Sequence, residues 1–151
     1  SPPEIIDPGL VGEVTAVNSD IIESLGRDGF IPIIAPVGSG AGGETFNINA
    51  DLVAGEIAKA LGAERLFLMT DVDGVKNSAN QLISSIAADE IRTMITDGSI
   101  TGGMIPKIEC ALDALTGGVG KVTIMNGTRR HALLLELFTV RGSGTEVLLN
   151  P

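Results

Sequence analysis

A chain of 151 residues with ten Lys and Arg against nineteen Asp and Glu, net charge −9, has the size of one domain and is a poor match for nucleic acid. Aromatic residues are 3%, with no Trp or Tyr, so a base-stacking platform is excluded as well. Hydrophobic residues make up 44% and mean hydropathy is +0.34, yet no uninterrupted apolar run approaches the ~20 residues that span a bilayer.

Residues 1–9 are proline-rich and read as a linker or frayed end, with neither the basic start nor the apolar core of a signal peptide. Residues 10–17 alternate apolar and polar side chains and predict a strand, half of a hairpin. Asn18 or Ser19 caps a helix with Ile21, Ile22 and Leu25 facing inward, stopped at Gly29. Residues 30–36, Phe-Ile-Pro-Ile-Ile-Ala-Pro, predict a short buried strand with Pro32 at its start or edge, and 37–45 a glycine-rich loop.

Asn49 or Asp51 opens the cleanest helix, with Ala50, Val53, Ala54, Ile57, Ala58 and Leu61 on one face and Gly62 at its end. A buried strand at 66–69 runs into the turn 70–75, and a second helix covers 87–96, stopped by Gly98. A third helix starts at Lys107, with Pro106 in its first position and Ile108, Ala111, Leu112 and Leu115 at helical spacing. A strand at 119–125, the Asn126-Gly127 turn, a leucine-rich helix at 132–138 and a strand at 146–149 complete the chain. Strands alternating with helices predict an α/β fold, a three-layer sandwich whose mainly parallel sheet is covered on both faces. Ligands then sit at the carboxyl ends of strands.

Several residues stand out for chemistry. Gly102 and Gly103 let backbone approach a ligand, and the helix behind them offers open N–H groups and the charge of Lys107, which together suit a phosphate. The alternative is a glycine turn before an ordinary surface lysine. Asn47, Asn49 and Asp51 stand at alternate positions; capping explains one of them, and an extended segment turns all three to one side. Two amides there suit a carboxylate or amide, and Asp51 an ammonium group or a metal. Asp71 and Asp73 in Asp-Val-Asp-Gly-Val suit Mg²⁺ or ribose, or form an Asx turn with Gly74 at positive φ. His131 reads as a helix-end or surface residue. Cys110, the one cysteine, excludes an internal disulfide and fits a reducing, cytoplasmic compartment; set among Ile108, Ala111 and Leu112, it reads as core. No metal-ligand cluster, no Ser/His/Asp or Cys/His arrangement and no P-loop pattern is present.

The stretches 10–14, 30–36, 46–51, 68–75, 102–107, 109–114 and 131–138, in this order, resemble the amino-acid kinase family, and most of all its members that phosphorylate N-acetyl-L-glutamate. The pairing of Asn-x-Asn-Ala-Asp with Gly-Gly-Met-Ile-Pro-Lys carries most of that resemblance. It implies the carbamate kinase-like αβα fold and transfer of phosphate from ATP with Mg²⁺ to the γ-carboxylate of N-acetyl-L-glutamate in arginine biosynthesis. It gives Lys107 and Asp51 catalytic roles and puts Asn47 and Asn49 at the acyl-amino-acid site. The nucleotide falls to Asp71, Val72, Asp73, Gly74, Val75 and Lys76, with Ser99, Ile100 and Thr101. It implies no protein-held metal and a homo-oligomer. The family's other pattern elements, a Lys-x-Gly-Gly phosphate loop, a second Gly-Gly pair and a substrate-binding arginine, do not occur here, so residues 10–151 read as the carboxyl-terminal, nucleotide-binding lobe, incomplete as an enzyme. Alternatives are a glutamate 5-kinase or aspartokinase type and a non-catalytic nucleotide-binding module. The ending 131–144 is similar to that of arginine-inhibited members, which implies an L-arginine effector site involving His131, Glu136, Gly142 and Gly144; the alternative is that Leu133, Leu134, Leu137 and Phe138 are simply core.

Overall fold

The computed structural model describes residues 9–140 and 142–149. The linker expected at 1–9 therefore lies, but for Gly9, outside the described residues. In chain order the elements are α1 (Asp20–Arg27), β1 (Val37–Ser39), β2 (Thr45–Asn47), α2 (Ala50–Ala60), β3 (Arg65–Thr70), β4 (Ser85–Ala87), α3 (Ala88–Thr96), α4 (Met104–Thr116), β5 (Lys121–Asn126), α5 (Ala132–Phe138) and β6 (Gly144–Leu148).

A four-stranded sheet in the order β3-β5-β6-β4 organises the α/β fold. β3 with β5 and β4 with β6 are parallel; β5 with β6 is antiparallel, so the sheet is mixed and mostly parallel, as the alternation predicts. The register pairs Leu66 with Val122 and Leu68 with Ile124, and Val122 in turn with Val147. Period-2 alternation sends these side chains to one face. There they meet Ala58 of α2, Ile91 of α3, and Ile108, Ala111 and Ala114 of α4 in one continuous core. Burial of such aliphatic side chains stabilises by about 1.5–3 kcal/mol each, which makes this face the foundation of the site above it. β3 and β5 end together at the pair Thr70 and Asn126, so the loops after both strands rise side by side.

Several expectations give way. Residues 10–17 form no strand; Leu10 and Gly12 bond to the two sides of Asn47 in a single bridge, and the alternation beyond them finds no ladder. The run at 30–36 is neither strand nor buried, with Ile31 90% and Ile33 96% exposed. Pro32 and Pro36 remove ladder donors from it, and no described strand lies alongside. Residues 37–47 fold back as the β1–β2 hairpin, so the loop predicted at 37–45 has paired backbone at both ends. α1 starts at Asp20 after Ser19, as expected, but its supposed inner face is open, Ile21 being 68% exposed. Of the predicted face of α2, Ala58 is buried while Ala50 and Leu61 are exposed, because the helix meets α4 through Gly55 and Ala58.

Two helix details matter for the site. α4 begins at Met104, not Lys107, so Pro106 is its third residue and Lys107 its fourth. Both remain in the first turn, where backbone N–H groups lack intrahelical partners and a proline costs little. α5 spans 132–138 as the sequence predicts, yet only Ala132 is buried; Leu134 is 52% and Phe138 80% exposed, which overturns their reading as core.

Candidate functional site

The central feature is an ion pair. Lys107 Nζ lies 2.6 Å from Asp51 Oδ2, across 56 residues of sequence, and both side chains are mostly buried, at 19% and 25% exposure. α2 and α4 present these groups from their first turns because both helices start on the same side of the sheet. The start of α2 is fixed by Asn49, whose Oδ1 accepts from the N–H groups of Asp51 (2.9 Å) and Leu52 (3.3 Å). The Asp51 carbonyl accepts from the Cys110 thiol at 3.0 Å, one turn beyond Lys107. Burial chiefly, and then the Asp51 and Asp113 charges, push that thiol from 9.0 up to about 11. It is therefore a neutral donor at physiological pH, in keeping with a core cysteine rather than a nucleophile.

Asn47, Asn49 and Asp51 keep their expected alternation only in part. Asn47 ends β2 and Asn49 caps α2, both exposed around the buried Ile48. Asp51 is already helical, so helix geometry and the pairing with Lys107, rather than strand alternation, set its direction.

Lys107 lines a cleft of about 390 Å³ with Thr70, Asp71, Val72, Thr101, Gly103 and Met104. This joins the end of β3 to the start of α4, two segments the sequence singles out separately. Gly102 has φ of +60°, and a side chain on Gly103 would meet open space, so backbone faces the cleft there. The N–H groups of Met104 and Ile105 bond back to Thr101 (3.4 Å) and Gly102 (3.2 Å), and Pro106 has none. Open helix N–H groups are thus scarcer than expected, and Lys107 supplies the positive charge. The Ser99 hydroxyl first, and then its N–H, which donates to Asp97 Oδ1 at 2.9 Å, hold the Asp97 carboxyl below its usual range; Ile100 is buried and anchors the approach to Thr101.

The 71–76 turn divides. Asp71 and Val72 are exposed on the cleft, while Gly74 and Val75 are buried and Asp73 and Lys76 half-buried. Asp73 Oδ1 accepts from Asn126 Nδ2 at 3.0 Å and pairs with Arg129 at 2.9 Å. The Asn126 hydrogen bond first, then the Arg129 and Lys76 charges, keep its carboxyl below the usual carboxylate range. Sequence reasoning missed Asn126 and Arg129. The signal was there: the rule about carboxyl ends of strands applies to β5 as much as to β3, and Asn126 closes β5. No group of three or more His, Cys, Asp or Glu side chains among the described residues gathers to hold a metal.

The expected effector residues fall in two places. Glu136 Oε2 accepts from the N–H groups of Ser143 and Gly144, the latter at 3.1 Å, so the turn after α5 wraps its carboxylate. Gly142, φ +61°, makes this possible, since a Cβ there would lie 2.7 Å from Glu136 Oε2. His131 instead sits at the N-cap of α5 with φ +61°, its Nε2 accepting from Arg130. Arg141 lies outside the described residues.

The amino acid kinase family model matches residues 2–126. An acetylglutamate kinase of Geotalea uraniireducens is 58% identical over 145 residues, 96% of this chain and 50% of the relative. One of Desulfotalea psychrophila is 56% identical over 147 residues, 97% of this chain and 50% of the relative. The chain thus spans about half the length of the curated relatives it matches. Among solved structures, N-acetylglutamate synthase of Neisseria gonorrhoeae, complexed with coenzyme A and L-arginine, superposes with a TM-score of 0.86 at 30% identity, covering 98% of this chain and 35% of that one.

Proposed function

We propose that this chain, which belongs to the amino acid kinase family, supplies the nucleotide and phosphoryl-transfer half of an enzyme that phosphorylates the γ-carboxylate of N-acetyl-L-glutamate with ATP, in arginine biosynthesis. The observation that carries this reading is the Lys107–Asp51 pair opening onto the same cleft as Asp71 and Val72. A carboxylate acceptor is already ionised at neutral pH, so its oxygen attacks the γ-phosphorus without a general base. The new O–P bond forms as the bond to ADP breaks, leaving an acyl phosphate. Such a transfer asks mainly for positioning and for charge stabilisation of the moving phosphoryl group. The Lys107 ammonium provides that charge, and Asp51 holds it in place. Asn47 and the free amide N–H groups of Asn49 receive the acetylglutamate, and 71–76 with 99–101 receive the nucleotide.

Mg²⁺ takes few protein ligands and readily accompanies phosphate oxygens. It is proposed to enter bound to the nucleotide, whose phosphate oxygens supply most of its ligands. L-arginine is proposed as an effector at Glu136: Oε2 is occupied by backbone N–H groups, which leaves Oε1 to a guanidinium. The enzyme is proposed to be a cytoplasmic homo-oligomer; no helix among the described residues is long and apolar enough to cross a membrane.

A second reading is a non-catalytic nucleotide-binding or regulatory module; the likeness to a protein named as a synthase shows only that this fold is not confined to kinases. One experiment separates the two. A chimera in which this chain replaces the matching half of the Geotalea uraniireducens kinase is assayed with MgATP by trapping acyl phosphate as the hydroxamate. The kinase reading predicts turnover with N-acetyl-L-glutamate in large excess over glutamate or aspartate, and arginine inhibition weakened by Glu136→Gln. A folded chimera without turnover refutes it. The chain alone is expected to bind MgATP weakly and to make no acyl phosphate.

A further inference from the structure

We infer that Thr145, on β6, is a positioning residue that fixes the 71–76 loop in its nucleotide-receiving shape; this rests on the nucleotide reading of that loop. Thr145 is fully buried, one of few polar side chains in that condition among the described residues. Its Oγ1 accepts the N–H of Val75 at 2.9 Å, and its hydroxyl donates to the carbonyl of Ile83 at 2.6 Å, reaching back 70 and 62 residues in the chain. Val75 and Ile83 are the two sides of one narrow loop, since the Ile83 N–H donates to the Val75 carbonyl at 2.9 Å. Beyond them Lys76 bridges Leu82, and Asn77 closes the tip through the N–H groups of Ala79 and Gln81. One hydroxyl thus clamps both sides of the loop to the sheet.

Gly74 shows how close the clamp sits. Its φ is +137°, and a Cβ would lie 2.6 Å from Thr145 Oγ1, so the chain passes directly over the hydroxyl on its way to Asp73. The loop is consequently held at two points. Asn126 and Arg129 hold it at Asp73, and Thr145 holds it at Val75. Asp71 and Val72, the residues exposed on the cleft, lie just before these two holds and take their position from them.

The hydroxyl matters beyond its volume. Val75 is 2% exposed, so its N–H has no water to turn to if Oγ1 is replaced by a methyl group. A buried donor without a partner is costly enough that the backbone shifts instead. Thr145→Val keeps the shape and removes both hydrogen bonds, whereas Thr145→Ser keeps both bonds and removes a methyl group.

The test uses this chain, with hydrogen exchange at single amides and MgATP affinity read by displacement of a fluorescent ADP analogue. In Thr145→Val, exchange at the Val75 amide accelerates about tenfold or more, as expected for loss of one buried hydrogen bond, while Leu68 and Ile124 stay protected. MgATP affinity falls by a similar factor, and Thr145→Ser restores both to within about threefold. Protection at Leu68 and Ile124 shows that the variant is folded. Unchanged exchange at Val75 overturns the inference, and so does a loosened Val75 with unchanged MgATP affinity. A wild-type chain that takes up no MgATP refutes the nucleotide reading and the inference with it, a failure visible before any variant is made.

Discussion

Lys107 Nζ meets Asp51 Oδ2 at 2.6 Å, joining the first turn of α4 to the first turn of α2. Neither side chain is fully exposed, so the pair is shielded from solvent more than a surface bridge, whose contribution is about 0–1 kcal/mol. Its value is orientation. A lysine has four rotatable bonds, and Asp51 selects the arrangement in which the ammonium faces the cleft beside Asp71.

Asn49 combines capping with a proposed substrate contact, and the two separate by substitution. Oδ1 accepts from Asp51 and Leu52. Asn49→Ala is expected to cost about 1 kcal/mol of stability in chemical unfolding. Asn49→Asp retains the acceptor and loses the amide donors, so it stays within about 0.5 kcal/mol of wild type. In the chimera it nonetheless raises KM for N-acetyl-L-glutamate. Unaltered KM in Asn49→Asp would leave Asn49 as a cap alone.

Cys110 makes stability depend on alkaline pH. Burial raises its thiol from 9.0 to about 11, so the folded state holds a proton that the unfolded chain releases earlier. A group raised on folding contributes fully below its unfolded value and loses that contribution as pH rises through the folded one. Stability therefore declines between pH 9 and about 11, and Cys110→Ala flattens that part of the profile. An identical slope in the variant would contradict the assignment. The same burial makes alkylation of the native thiol at pH 8 much slower than in denaturant.

Gly142 tests the wrapping of Glu136. With φ +61° and a Cβ that would fall 2.7 Å from the carboxylate, Gly142→Ala is expected to destabilise by about 1 kcal/mol or more. Glu136→Gln with Gly142→Ala should lose less than the sum, because both act on one contact. Simple additivity in a double-mutant cycle would show that the strain at Gly142 is independent of Glu136.

The parts legible in the sequence are those set by local rules. α2, α3 and α5 and strands β3 and β5 announce themselves by period and punctuation, and Asn49 by capping chemistry. No local rule pairs Asp51 with Lys107, which stand 56 residues apart on two helices; only the family resemblance implies that Asp51 orients the lysine. The 30–36 run misleads for a different reason: hydrophobicity reports what a segment needs, not whether a partner lies beside it. β4 is too short to show a period, and the antiparallel β5–β6 pair cannot be read from alternation. Asn126, Arg129 and Thr145 stay hidden because their partners are 53 to 70 residues away, and nothing local marks a buried threonine as a clamp.

Lys107 is proposed to stabilise charge on the transferring phosphoryl group, with Asp51 holding it in place. Steady-state kinetics of Lys107→Ala in the chimera, paired with its MgATP affinity, address this role most directly. kcat is expected to fall by about 10²-fold or more, the scale of losing one preorganised charge donor, with a much smaller change in MgATP affinity. An undiminished kcat with affinity lost instead would contradict it, leaving Lys107 as a ground-state anchor.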